Sequence, residues 1–472
     1  MYCLLPFRFH RLPDCELIVN EVGDFLTLQQ GSIEAIINRK IDPESDLYKD
    51  LKSGYFISEK PVPELIDNYA VRLRTKKAFL NYYTALHIFV LTLRCNQNCV
   101  YCQASSRKEH CGNSDMSRKT IDKSVELMFR SPSPHLTMEF QGGESSLVPH
   151  LVEYAILKAE EKNETAQRQI TYVLCTNCVE LTDRILNICE KYRIVISTSL
   201  DGFEELHNLN RGKSDSYSKT VNGIAKARNR LGEQFVSALM TTSELSLDYP
   251  KEIVDAYREN GFHSIFIRAL NPYGLASSNQ DWQQYCDRFV EFYKIVLDYI
   301  LELNRNGIFF VEEFTAIILR KILTPFNTGF VDLQSPAGLV NGVVVYNYDG
   351  YVYASDESRM LAENGDYSFR LGSVDDPYEK LFYGDKVKEI AECWTTESIA
   401  GCSDCAFQSF CGADPVRNYT TQNDMYGNQP TSLFCRKHRK IIEHIFSLLI
   451  HRKEEVMPVF RSEVLRYMID HN

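Results

Sequence analysis

Three cysteines in C-x3-C-x2-C spacing, Cys95, Cys99 and Cys102, close the apolar run Leu86-His87-Ile88-Phe89-Val90-Leu91-Thr92-Leu93. Three thiolates on one short loop can hold three corners of a 4Fe-4S cube and leave the fourth iron open to a substrate or cofactor. A structural cluster or a tetrahedral zinc closes all four positions. Tyr101, directly before the third cysteine, supplies an aromatic wall. On spacing alone a zinc knuckle is also possible. A second set, Cys402, Cys405 and Cys411 in C-x2-C-x5-C spacing with Cys435 beyond, offers four thiolates. Four can close every corner of a cluster, and they suit structural zinc equally well.

The elements that must position the first set repeat along the chain. The run Leu136-Thr137-Met138-Glu139-Phe140 ends in Gln141-Gly142-Gly143-Glu144, and Ile170-Thr171-Tyr172-Val173-Leu174 ends in Cys175-Thr176-Asn177. Ile194-Val195-Ile196-Ser197-Thr198-Ser199 ends in Leu200-Asp201-Gly202, and Ser264-Ile265-Phe266-Ile267-Arg268 ends in Ala269-Leu270-Asn271-Pro272. Between them, 117–130 with Ser117 as N-cap, 149–162 and 217–231 carry helical spacing. Repeated strand-helix units imply parallel strands with right-handed crossovers and an active site at the carboxyl ends of the strands. The polar motifs therefore converge on one mouth.

Among 472 residues, 44% are hydrophobic and the net charge is -11. No apolar run is long enough to span a bilayer, and Met1-Tyr2-Cys3-Leu4 opens no cleavable signal, so a cytoplasmic enzyme without a membrane partner is expected. Fifteen cysteines in such a chain favour metal ligands plus free thiols, with Cys3, Cys15, Cys175, Cys189, Cys286 and Cys393 as ordinary buried thiols. The acidic balance argues against a nucleic-acid partner. The basic stretch Arg72-Leu73-Arg74-Thr75-Lys76-Lys77 reads as a solvated helix face.

The cysteine triad with Tyr101 resembles the signature of the radical S-adenosylmethionine (SAM) enzymes, in which the open iron chelates SAM and its reductive cleavage gives a 5'-deoxyadenosyl radical. The resemblance implies an α/β fold with a partial (β/α)6 barrel. Gly142-Gly143-Glu144 resembles the family's GGE motif, which implies glycines that let the backbone approach SAM and a Glu144 carboxylate that takes its ammonium; Ser145 departs from the usual proline. Thr176-Asn177-Cys178 resembles the T-N-G turn with cysteine for glycine. Ser199-Leu200-Asp201-Gly202 with His207 and Arg211 resembles a stretch of peptide-modifying members, placing Ser199 at the ribose and letting Arg211 neutralise a carboxylate. Tyr101, Gly142, Gly143, Glu144, Thr176, Asn177, Ser199, Asp201 and Arg211 are thus the expected cofactor-binding residues.

The C-terminal set resembles the SPASM extension of radical SAM enzymes, which implies an auxiliary cluster on Cys402, Cys405, Cys411 and Cys435. Pro336, Ser355 and Pro415 stand where the cysteines of a nearer cluster usually do, so one auxiliary cluster and two 4Fe-4S clusters in total are expected. In sulfatase-maturing relatives the aspartate after one of those cysteines accepts a proton from the substrate radical. Val352-Tyr353-Ala354-Ser355-Asp356 keeps that acid, which makes Asp356 the candidate catalytic residue against a surface aspartate in an acidic turn.

Near the N-terminus, 7–10, 16–20 and 25–28 alternate like strands, and 32–38 and 45–52 read as helices. The unit resembles the winged-helix leader-peptide recognition domain of peptide maturases, which adds its substrate as an edge strand. The expected partition is recognition over 1–60, a connecting helix over 61–84, the barrel over 85–306, the SPASM-like domain over 307–450 and a tail over 451–472. Leu4-Leu5-Pro6-Phe7-Arg8-Phe9, 74–79 and Cys411-Gly412-Ala413-Asp414-Pro415 resemble the radical SAM maturases of His-Xaa-Ser repeat systems. That implies an oxidoreductase modifying a ribosomally made peptide or protein, with an external electron donor, a second radical SAM protein and a small accessory protein. The alternatives are a small-molecule or RNA-modifying radical SAM enzyme, or an idle iron-sulfur scaffold or sensor.

Overall fold

The computed structural model describes residues 2–61, 63–110, 114–277 and 281–470. Met1 and the last two residues of the expected tail lie outside them; that tail otherwise begins with His451 at the end of one helix and continues through Arg452 into the helix Lys453–Asp470.

Six parallel strands form the barrel wall: Leu86–Thr92, His135–Gly142, Gln169–Thr176, Val195–Ser199, Val236–Thr242 and Ile267–Ala269, adjacent in chain order. Helices Arg118–Met128, Pro149–Ala166, Asp183–Tyr192, Ser216–Leu231 and Pro250–Glu259 connect them. Side chains alternate across each strand. Met138, Phe140, Tyr172, Leu174 and Ile196 are buried under the helices, while Glu139, Gln141, Cys175, Ser197 and Ser199 are partly open on the opposite face, which lines the lumen. The fifth strand is missing from the sequence reading. Its residues Ala238, Leu239 and Met240 favour helices as readily as strands, and Ser237 and Thr241 break the apolar run.

The sheet does not stop at the barrel. Val343–Tyr346 pairs in parallel with the first strand, and the hairpin to Tyr351–Tyr353 and the strand Arg370–Ser373 extend the sheet to nine strands. The C-terminal segment is therefore hydrogen-bonded to the strand that carries the first cysteine loop.

The N-terminal strands Phe7–Arg11, Cys15–Asn20 and Phe25–Gln29 form an antiparallel sheet. Its middle strand is buried on both faces: Ile18 joins a local core with Ile33, Ile36 and Leu51, and Leu17 and Val19 join the main core. Phe25 meets Phe446 edge-on at 5.1 Å, and His10 lies 4.9 Å from Phe407. The basic stretch is not a solvated face. Arg72 pairs with Asp24, Lys77 Nζ with Glu397 at 2.6 Å, and Lys76 sits over Phe410 at 5.8 Å with burial pushing its amine down to about 8. These contacts clamp the connecting helix Pro63–Lys76 between the N-terminal sheet and the C-terminal cysteine segment. Among the described residues, no helix is long and apolar enough to cross a membrane.

Candidate active site

The loop bearing Cys95, Cys99 and Cys102 crosses the carboxyl ends of the barrel strands, and backbone bonds fix it from two sides. Gly143 N–H donates to Thr92 O and Glu144 N–H to Arg94 O, each at 2.8 Å. A Cβ on Gly143 would lie 2.3 Å from Arg94 O, and one on Gly142, at φ 131°, would lie 2.1 Å from Thr92 O. The glycines are thus demanded by the cysteine loop itself, whatever else they do. From the other side, Val100 N–H donates to Asn210 O at 2.9 Å and Asn98 N–H to Arg211 O at 3.3 Å.

Glu144 is 1% exposed. Its two oxygens accept from Ser146 N–H at 3.1 Å and Asn177 N–H at 2.7 Å, so each keeps a lone pair for a ligand. Burial pushes its carboxyl up, and those backbone donors pull it back. Asn177 Nδ2 donates to Asn96 Oδ1 at 2.8 Å, which joins the third strand to the cysteine loop. Thr176 Oγ1 accepts from Cys178 N–H at 3.1 Å. Cys178 holds φ 58°, a left-handed conformation that explains the glycine usual in this turn. Ser199 stands half-buried at the end of the fourth strand, on the lumen side.

Asp201 and Arg211 lie behind the loop. The guanidinium donates twice to the carboxylate, Nε to Oδ2 and Nη2 to Oδ1, both at 2.8 Å. Tyr101 OH donates to Asp201 Oδ2 at 2.5 Å, and Thr241 N–H to Oδ1 at 3.3 Å. Four donors occupy that carboxylate, so the carboxylate that Arg211 neutralises is Asp201. Arg211 Nη1 also reaches Cys99 Sγ at 3.7 Å. The signal for this arrangement was the S-L-D-G-x4-H-x3-R spacing, but spacing could not say that the stretch grips the cysteine loop.

His207 extends the grip. Its Nδ1 accepts from Asp201 N–H at 3.2 Å, and its Nε2 meets Ser216 Oγ at 3.1 Å, which in turn accepts from Gln97 Nε2. Burial holds this imidazole down to about 4. Between that value and about 6.5 the unfolded chain binds the extra proton, so the stability His207 confers is present above pH 6.5 and is lost as the pH falls. The gap in unfolding free energy between wild type and His207→Gln should narrow by about 2 kcal/mol from pH 7 to pH 5. Urea titrations giving a constant gap would contradict this.

Below the mouth, Cys175 Sγ donates to Glu139 Oε1 at 3.5 Å. Cys175 is therefore not an ordinary core thiol, and Cys3 is also partly open, whereas Cys15, Cys189, Cys286 and Cys393 are buried. Asp356 borders the same region. It is 14% exposed and pairs at 3.2 Å with Arg359, whose Nη1 donates to Ala104 O just past the cysteine loop. It starts the helix Asp356–Glu363 and is not a surface aspartate.

Cys402, Cys405, Cys411 and Cys435 are neighbours, the last near the start of the helix Leu433–His451. Burial and the three neighbouring sulfurs raise the Cys402 thiol, and burial pushes Cys411 up to about 12. Lys321 Nζ donates to Cys411 O at 2.8 Å. Among the described residues neither cysteine set brings three sulfurs within 4.8 Å of one another. A tetrahedral zinc with bonds near 2.3 Å would need its sulfurs drawn to about 3.8 Å.

Residues 89–256 match the family model of the radical SAM superfamily. This stretch is a radical SAM domain. A radical SAM domain implies a 4Fe-4S cluster and SAM, and the Cys95, Cys99 and Cys102 loop with the open lone pairs of Glu144 could hold them. The enzyme is 21% identical over 369 residues to a cysteine-type anaerobic sulfatase-maturating enzyme of Clostridium perfringens, covering 76% of this chain and 95% of that one. Its fold resembles the structure "Native anSMEcpe with bound AdoMet" (TM-score 0.64, 18% identity, 79% of this chain and 100% of that one). It also resembles Streptococcus suis SuiB bound to precursor peptide SuiA (TM-score 0.53, 13% identity, 92% of this chain and 100% of that one).

Proposed function

We propose that the enzyme is a maturase that modifies a ribosomally made peptide or protein, one with His-Xaa-Ser repeats, together with a second radical SAM protein, a small accessory protein and an external electron donor. A 4Fe-4S cluster with SAM supplies a carbon radical able to take a hydrogen atom from an unactivated C–H bond. The observation that carries the reading is the N-terminal sheet: among the described residues its outer strands Phe7–Arg11 and Phe25–Gln29 each pair on one side only, as strand addition by an extended peptide requires, and His10 of the first lies against Phe407 in the second cysteine segment. The names of the relatives point the same way, being sulfatase maturation in one case and a bound precursor peptide in the other.

In this reading Cys402, Cys405, Cys411 and Cys435 hold an auxiliary cluster, and Glu144, Asn177 and Ser199 face SAM. Asp201, Arg211 and Tyr101 position the cysteine loop. Asp356 takes the proton that a substrate radical releases when it is oxidised, a role supported by its seat between the lumen and Arg359.

Two changes separate recognition from chemistry. Deleting residues 1–60 should weaken peptide binding at least tenfold and leave uncoupled SAM cleavage intact. Asp356→Asn should bind peptide, load its iron and form 5'-deoxyadenosine, yet give no product by mass spectrometry. Normal modification by the truncated enzyme would sink the recognition role, and normal product from Asp356→Asn the catalytic one.

A further inference from the structure

Between the sixth barrel strand and the C-terminal segment lies a cavity of about 80 Å3 whose charged wall is Arg268, Asp332, Glu357, Asp414, Arg417 and Lys437. Phenylalanine rings, among them Phe266, Phe330 and Phe434, close it behind them. Gly338, Ser355 and Asp414 also line it, so it occupies the space among the three places where cysteines of a nearer cluster are absent. A water takes roughly 15 Å3 on this measure, so there is room for a carboxylate and its neighbouring methylene.

The acids are largely committed. Glu357 Oε1 faces Arg268 Nη2 at 3.7 Å, and Asp414 caps the helix Pro415–Gln422 by accepting from Arg417 N–H at 2.9 Å. Asp332 and Asp414 act on Lys437 through their charge, but neither hydrogen-bonds to its ammonium among the described residues. Arg417 and Lys437 have donors to spare. Arg417 is 6% exposed; its Nη1 donates to Asn271 Oδ1 at 2.6 Å, but its Nε has no partner among the described residues. Lys437 Nζ lies 5.8 Å from the Phe289 ring and enters no hydrogen bond or ion pair among the described residues. A guanidinium edge and an ammonium left unpaired in a closed space are costly unless an anion joins them.

We propose that Arg417 and Lys437 form a subsite for a carboxylate of the peptide substrate, an inference that rests on the peptide reading. Its position is tied to the chemistry. Asn271, the partner of Arg417, accepts through its backbone O from Gln103 Nε2 at 2.8 Å, and Gln103 directly follows Cys102. A carboxylate held here is therefore referenced to the cysteine loop by two hydrogen bonds, and it fixes which residue of the peptide reaches the mouth.

Isothermal titration calorimetry on the full-length, iron-loaded enzyme can test this with three small ligands. N-acetyl-glutamate amide carries a side-chain carboxylate, N-acetyl-glutamine a terminal one, and N-acetyl-glutamine amide neither. One of the two acids should bind roughly tenfold more tightly than the neutral ligand, and which one it is identifies the source of the carboxylate. Lys437→Met should erase that preference, and Lys437→Arg should keep it. Equal or absent binding of all three by wild type would overturn the proposal, as would an unchanged preference in a Lys437→Met protein with native circular dichroism. The peptide reading fails separately, if no peptide gains or loses mass although the acid preference stands.

Discussion

Replacing Cys95, Cys99 and Cys102 together by alanine should remove one cluster's worth of iron and sulfide and abolish SAM cleavage completely. The effect is expected to be all-or-none because, in the proposed reading, the loop supplies every protein ligand of the first cluster, while Cys175 points to Glu139 and Cys178 is fully buried. The rest of the fold should survive, since the loop is held by backbone bonds to Thr92, Arg94, Asn210 and Arg211 that involve none of the three sulfurs. The matching change at Cys402, Cys405 and Cys411 should remove the second cluster and leave the SAM-binding one. Iron and sulfide analysis after anaerobic reconstitution reads both. Full iron in the second variant, or zinc in that site, would refute the auxiliary cluster.

Arg211→Met should cost about 3–5 kcal/mol of unfolding free energy, the usual loss when one partner of a buried pair is removed. Asp201 is completely buried, and its carboxylate would keep only the Tyr101 hydroxyl and Thr241 N–H as donors. The same change should loosen Cys99 and lower iron retention. Adding Asp201→Asn removes the stranded charge, so the double variant should be more stable than Arg211→Met alone. Urea unfolding at pH 7 tests it. Additive losses would mean that the pair does not act as a unit.

Much of the barrel was legible because apolar runs punctuated by polar ends, two of them bearing glycine, repeat five times before residue 272. The helices at 117–130, 149–162 and 217–231 are the observed Arg118–Met128, Pro149–Ala166 and Ser216–Leu231, with Ser117 accepting from Thr120 N–H as a cap. What escaped was whatever depends on distant partners. The fifth strand is identified by its neighbours rather than by its own residues. The stretch 72–77 looks solvated until Asp24, Glu397 and Phe410 are brought to it from both ends of the chain. The glycines of Gly142-Gly143 were read toward a ligand, yet the nearest obstruction is the protein's own backbone. The charged cavity carried no local signal: Arg268, Asp332, Glu357, Arg417 and Lys437 are scattered over some 170 positions and mean nothing until the sheet is assembled.

That assembly sets an order of events in synthesis. The strand leading into the cysteine loop has Val343–Tyr346 as one of its two neighbours, so His87 finds the Tyr346 hydroxyl across 259 positions. While the ribosome is still making the barrel, one edge of this strand stays bare and the cavity has no far wall. Contacts of such long range form late. Iron delivered to the nascent chain would meet a loop still open to water on its hairpin side. The first cysteine loop is therefore sheltered on that side only once the sheet has closed, whichever end of the molecule folds first.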